Sequence, residues 1–206
     1  TGVQTCALPI YIAGLTALWQ RTSGGDPEVK IAIIDGPVDL NHPSLRQARV
    51  ALGGEFVAPS SPTIQSEHGT HVTSVLMGTP GSPVLGVAPN CSATVFSIYR
   101  ENAAGQIVPS SQSTLALAIN QALAVGADVI NMSLGAAFQW PQYPTSKAAT
   151  RMVNKGIVVV ASAGNSGADG LYSAGAPGVG GDTIGVGSVD NIEFMANFFT
   201  DETGAT

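Results

Sequence analysis

Charge is scarce in this sequence. Of its 206 residues only 11% are Asp, Glu, Lys or Arg, and with only eight Lys and Arg the net charge is −6. Nucleic acid is not an expected partner, because phosphates are bound by clustered cations. No uninterrupted apolar run approaches the roughly 20 residues that cross a bilayer, so no membrane segment is read. Cysteine is limited to Cys6 and Cys91. Cys6 lies in TGVQTCALPI, residues 1–10, which reads like the translation of a sequencing-adaptor oligonucleotide and is expected to be non-native. Cys91 then stands alone, cannot form an internal disulfide, and is expected as a small buried hydrophobe. Neither redox compartment nor cellular location is readable, and the sequence lacks both an initiator Met and a recognisable signal peptide.

What is present suits one buried core. Hydrophobic residues make up 44% of the chain, with 25 Gly and 13 Pro to turn between elements, and the length is sufficient for a single sizeable domain. Five apolar, largely β-branched runs stand out: VKIAIID (29–35), ATVFSIY (93–99), ADVINMS (127–133), GIVVVAS (156–162) and TIGVGS (183–188). Near-continuous runs of this kind suit strands buried on both faces, as in a parallel sheet. Helical spacing appears in 111–125 at Leu115, Ile119, Ala122 and Leu123, stopped by Gly126, and again in 146–155 before Gly156. Strand, helix and strand in alternation predict an α/β fold in three layers, a mostly parallel central sheet flanked by helices. No repeat, low-complexity linker or charge block divides it.

In open parallel sheets chemistry collects beyond the carboxyl ends of the strands. Here the runs end in Asp35 of DGPVDL, in NMSLG (131–135) and in ASAGNSG (161–167). Two of the three histidines, His68 and His71, fall in EHGTHVTSVLMG (67–78), where an apolar helix begins. They admit three readings: a metal clip, a catalytic base with a structural neighbour, or two ordinary histidines. Spacing of i, i+3 permits a metal, but there is no Glu as in H-E-x-x-H and no nearby Cys. His68, at the helix mouth, is expected to face the cleft and His71 to turn into the packing. Gly69 carries no side chain to obstruct base and acid. Asp39 is expected to make local turn bonds, His42 to be structural, Ser133 and Ser166 to be turn residues, and Asn165 has the alternative of a left-handed turn beside Gly164.

The segments IAIIDGPVDLNHPSL, HGTHVTSVLMG, GVAPNCS, NMSLG and VVVASAGNSG, in that order, resemble the subtilisin-like serine proteases, the subtilases of peptidase family S8. The DGPVD stretch is similar to the protease domains that mature cyanobactin-type peptides. The resemblance implies a serine endopeptidase of subtilisin-like fold, with Asp35 orienting the imidazole, His68 as general base and Asn165 as oxyanion donor. Loss of such an asparagine costs a subtilisin about 10²–10³ in kcat. It also implies that Ser133, Leu134 and Gly135, with Ser162, Ala163 and Gly164, bind an extended peptide or protein substrate as an added strand. No cofactor is required. Subtilases often carry structural Ca²⁺ on loops, and no such site is placed in this sequence.

The family pattern puts its nucleophile in a G-T-S-M-A-like segment after the fourth strand, and nothing like it occurs here. The expectation is a partial peptidase domain over 11–206, incomplete at its C-terminus and inactive by itself. The alternative is a non-catalytic peptide-binding pseudoprotease. A metallohydrolase built on Asp35, His68 and His71 is the third reading.

Overall fold

The computed structural model describes residues 14–57, 67–102, 104, 106–108 and 110–188. The adaptor-like residues 1–10 and the stretch after 188 lie outside the described residues. The chain enters through a short helix, α1 (Leu15–Thr22), and then the central strand β1 (Lys30–Asp35). Every residue of β1 after Lys30 is buried. Ile31 and Ile33 join one core, Ala32 and Ile34 the other. A strand that must be apolar on both faces cannot alternate polar and apolar residues, which explains the unbroken IAII run.

Five further strands complete the sheet: β2 (Val50–Glu55), β3 (Ser92–Ser97), β6 (Val129–Met132), β7 (Val158–Ser162) and β8 (Ile184–Val186), in the spatial order β2-β3-β1-β6-β7-β8. All neighbours pair in parallel. A separate antiparallel ribbon joins β4 (Arg100–Glu101) to β5 (Ile107–Val108). All five expected strands are present: β1, β6, β7 and β8 are one to three residues shorter than their runs, and β3 begins one residue earlier and ends two earlier. Strand β2, the sequence VALGGE, carried no readable apolar signal. It is an edge strand, and its Gly53 sits against β3, where a Cβ would come within 2.3 Å of Phe96 and 2.5 Å of Thr94.

The helices supply the two outer layers. On one face lie α3 (Gln112–Ala124) and α4 (Pro144–Val153), packing on Ala32, Ile34, Ile130 and Val159. On the other lies α2 (His68–Met77), whose Met77, Val72 and Leu76 pack with Ile31, Ile33 and Val95. Ser111 caps α3, its Oγ accepting the Thr114 N–H at 3.2 Å, which satisfies one orphan donor of the first turn. Leu115, Ala118, Ile119 and Ala122 form its buried face. Leu123, expected there too, is exposed. Helix α4 starts at Pro144, two residues ahead of the expected 146, because proline is suited to a first helical position where no N–H is needed. Cys91 is buried and unpaired, as expected of a small hydrophobe. Among the described residues no helix is long and apolar enough to cross a membrane.

Candidate active site

Strand order reverses at β1. The chain crosses from β1 to β2 and β3 on one side, then to β6 on the other, which opens a crevice at the carboxyl end of β1. Asp35 is the last residue of that strand. Side chains alternate along a strand, so Asp35 shares a face with Ile31 and Ile33 and points toward the α2 layer. Helix α2 opens at His68 on that side. The two meet: His68 Nδ1 lies 2.8 Å from Asp35 Oδ1, the carboxylate fully buried and the imidazole 45% exposed.

The carboxylate is held by more than the histidine. Its Oδ1 accepts the Gly36 N–H at 2.7 Å and the Tyr99 hydroxyl at 2.7 Å. Among the described residues, Oδ2 is buried and has no hydrogen-bond partner. The hydrogen bond to Asp35 raises the His68 pKa above 6.5, burial opposes it, and the Asp35 charge adds to the rise. Tyr99 is held above the ordinary phenol range, first by burial and then by the charge and hydrogen bond of Asp35. It is therefore a hydroxyl donor at any working pH. Tyr99 was missed in the sequence, where it reads as the last residue of an apolar strand.

Two contacts tie α2 to the loop after β1. Thr70 Oγ1 accepts the Asp39 N–H at 2.9 Å, and Asp39 Oδ1 in turn accepts the Asn41 N–H at 2.9 Å. Gly69 packs so closely that a Cβ would stand 2.5 Å from the Pro37 carbonyl oxygen and 2.7 Å from that of Gly36. Alanine normally stabilises a helix relative to glycine by about 1 kcal/mol. Here the clash is with backbone, so Gly69→Ala is expected to destabilise the protein by about 1–3 kcal/mol. A thermal melt that is unchanged or raised would show that the helix mouth tolerates the displacement.

The other candidate residues separate. His71 is exposed rather than turned into the packing, because α2 directs Thr73, Ser74 and Met77 inward instead. Among the described residues no group of three His, Cys, Asp or Glu is placed to hold a metal ion. His42 Nδ1 accepts the Ser44 N–H at 3.2 Å, a local turn bond. Since all six strands run one way, the segments after β6 and β7 share the rim that carries Asp35. Ser133 Oγ accepts from Asn131 at 3.2 Å. Leu134 and Gly135 line a cavity of about 240 Å³ with Ile98, Tyr99, Leu115 and Ala176. Ser162 Oγ accepts the Gly164 N–H at 2.9 Å. Ala163 has both main-chain groups engaged, donating to Val186 and accepting from Gly175. Asn165 is exposed. The left-handed conformation falls on Gly164, φ 98°, and not on Asn165, so a left-handed turn does not explain the asparagine.

The sequence pattern of the Subtilase family matches residues 26–204. The chain belongs to the subtilase family. It is 36% identical over 179 residues to subtilisin E of Bacillus subtilis (strain 168), covering 82% of this chain and 43% of that protein. Over 183 residues it is 33% identical to the thermophilic serine proteinase of Bacillus sp. (strain AK1), covering 87% of this chain and 43% of the relative. This subtilase thus spans under half the length of these relatives. Among solved structures, the prenylagaramide maturation protease PagA superposes with a TM-score of 0.72 at 31% identity, covering 86% of this chain and 59% of that one. The patellamide maturation protease PatA gives 0.65 at 28% identity, covering 81% and 58%. The likeness to maturation proteases agrees with the resemblance carried by DGPVD.

Proposed function

We propose that this chain is the acid–base part of a serine endopeptidase that cleaves peptide bonds through an acyl-enzyme. One observation carries the reading: a fully buried Asp35 bonded at 2.8 Å to the Nδ1 of His68, at the switch point of the sheet. With Nδ1–H committed to the carboxylate, the neutral ring keeps its lone pair on Nε2, where a serine hydroxyl can deliver its proton. The imidazolium so formed is stabilised by Asp35 and returns the proton to the leaving amine. Asn165 would donate its amide N–H to the oxyanion, without a charge to desolvate. An extended peptide would lie along Ser133, Leu134 and Gly135 on one side and Ser162, Ala163 and Gly164 on the other. Because Ala163 has spent its own main-chain groups, the pairing there falls to its neighbours.

The nucleophile is the missing member, since the 206 residues contain no G-T-S-M-A-like segment. Without it covalent catalysis is lost, and these residues alone are expected not to hydrolyse peptides. A fluorophosphonate probe tests the reading: it should label the product of the uninterrupted reading frame and not the 206-residue chain. In the serine-containing protein before labelling, kcat/KM should climb with pH along a limb above 6.5, because the base works unprotonated and its pKa is raised. A reading frame without a G-T-S segment, giving an unlabelled product that still binds peptide, would favour the second reading, a peptide-binding scaffold. Only the absent serine motif speaks for that alternative.

A further inference from the structure

We infer that Tyr99 is a positioning residue for the Asp35–His68 pair, holding the carboxylate in one rotation and the imidazole in one tautomer. The inference rests on the protease reading for its meaning, but not for its measurement. Tyr99 hydroxyl, Asp35 Oδ1 and His68 Nδ1 form a closed triangle: the hydroxyl is 2.7 Å from Oδ1 and 3.2 Å from Nδ1, and Oδ1 is 2.8 Å from Nδ1. A phenol has one proton, and the shorter contact to a carboxylate claims it. The hydroxyl oxygen then turns a lone pair toward Nδ1. A bare Nδ1 would face two acceptors and be repelled by both, whereas Nδ1–H is welcomed by both. Tyr99 therefore favours the tautomer that leaves Nε2 as the base.

The same hydroxyl orients the acid. Gly36 N–H, Tyr99 O–H and His68 Nδ1 all converge on Oδ1, while Oδ2 has no partner among the described residues. Rotating the carboxylate would break every one of these bonds together. An independent feature shows the ring has been accommodated. Gly36 does not have a positive φ, so its backbone does not demand glycine. Its need for glycine comes from Tyr99, whose ring would lie 2.2 Å from a Cβ at position 36. The Gly of DGPVD reads in sequence as a turn residue; in the fold it is the seat of the tyrosine ring.

Among the described residues Asp35 and Tyr99 are the titratable groups bonded to His68; Glu67 and His71 share its segment, and Arg100 follows Tyr99. The test is Tyr99→Phe, which keeps the ring and removes only the hydroxyl, read by NMR titration of ring-labelled histidine. His68 is assigned by its loss in His68→Ala. With one donor gone the carboxylate charge is less dispersed and attracts the imidazolium more strongly, so the His68 titration should move to higher pH. An unchanged or lowered titration overturns the inference. In the serine-containing protein kcat should fall about tenfold with KM unchanged, since a hydrogen bond to a charged group is lost and the ring is retained. The acid limb should move up in step. A shifted titration in a protein that never hydrolyses peptide sinks the protease reading alone; an unmoved titration in an active enzyme sinks the positioning role alone. Should Tyr99→Phe fail to fold, the ¹³Cζ resonance of Tyr99 decides: it should move in Asp35→Asn, and a static resonance counts against the contact.

Discussion

His68→Ala is expected to lower kcat by about a millionfold in the serine-containing protein and to abolish fluorophosphonate labelling. In a subtilisin, loss of this histidine alone costs about 2 × 10⁶ in kcat. The reason lies in coupling: without a base the hydroxyl stays protonated, and the remaining members cannot replace a proton transfer. Structural damage should be small by comparison. The imidazole is 45% exposed, so its removal opens little of the core. Asp35 keeps the Gly36 and Tyr99 donors, so its buried charge is not left bare. The measurement is therefore a pair: labelling rate and melting temperature on the same preparation. Labelling that persists in a folded mutant would remove His68 from the mechanism.

Asp35→Asn is expected to cost about 10⁴ in kcat, the loss seen when the acid of such a triad becomes an amide. Two placements of the new amide are available, and each fails. If its oxygen keeps the three Oδ1 contacts, the NH₂ occupies the buried, partnerless position of Oδ2 and the imidazolium loses its counter-charge. Unpaired buried donors of this kind cost about 1–3 kcal/mol. If the amide flips, NH₂ faces the Gly36 N–H, donor against donor, forces the Tyr99 hydroxyl to accept instead of donate, and also drives Nδ1 to give up its proton. In either case His68 no longer bonds to a charged carboxylate, and the rise in its pKa that Asp35 causes is diminished. The acid limb of kcat/KM should drop toward the ordinary histidine range. A limb that stays in place would mean that another group sets it.

Much of the site was legible because its parts sit at element boundaries that the sequence marks. Asp35 ends an unbroken apolar run and His68 opens a helix, so each announces itself by what stops or starts beside it. Gly69 was expected to leave base and acid unobstructed; backbone oxygens of Pro37 and Gly36 at 2.5 and 2.7 Å from a Cβ there make it the seat of the loop after β1 instead. His71 was misjudged because spacing within ten residues does not say which arc of a helix faces the sheet. Strand β2 escaped because an edge strand seated on Phe96 and Thr94 needs glycine where a strand pattern would want side chains.

From the residues alone came the parallel α/β core and the placing of Asp35 and His68 at element ends. These follow from local facts: burial on both strand faces, a strand end and a helix mouth. The surroundings of the acid were decided by tertiary structure. Strand β3 lies beside β1 with Asp35 opposite Ser97, which delivers Tyr99 from 64 residues away onto the carboxylate. Nothing in the run FSIY encodes that meeting, because lateral register between strands is set by how two layers of helices pack on the sheet and not by either strand alone.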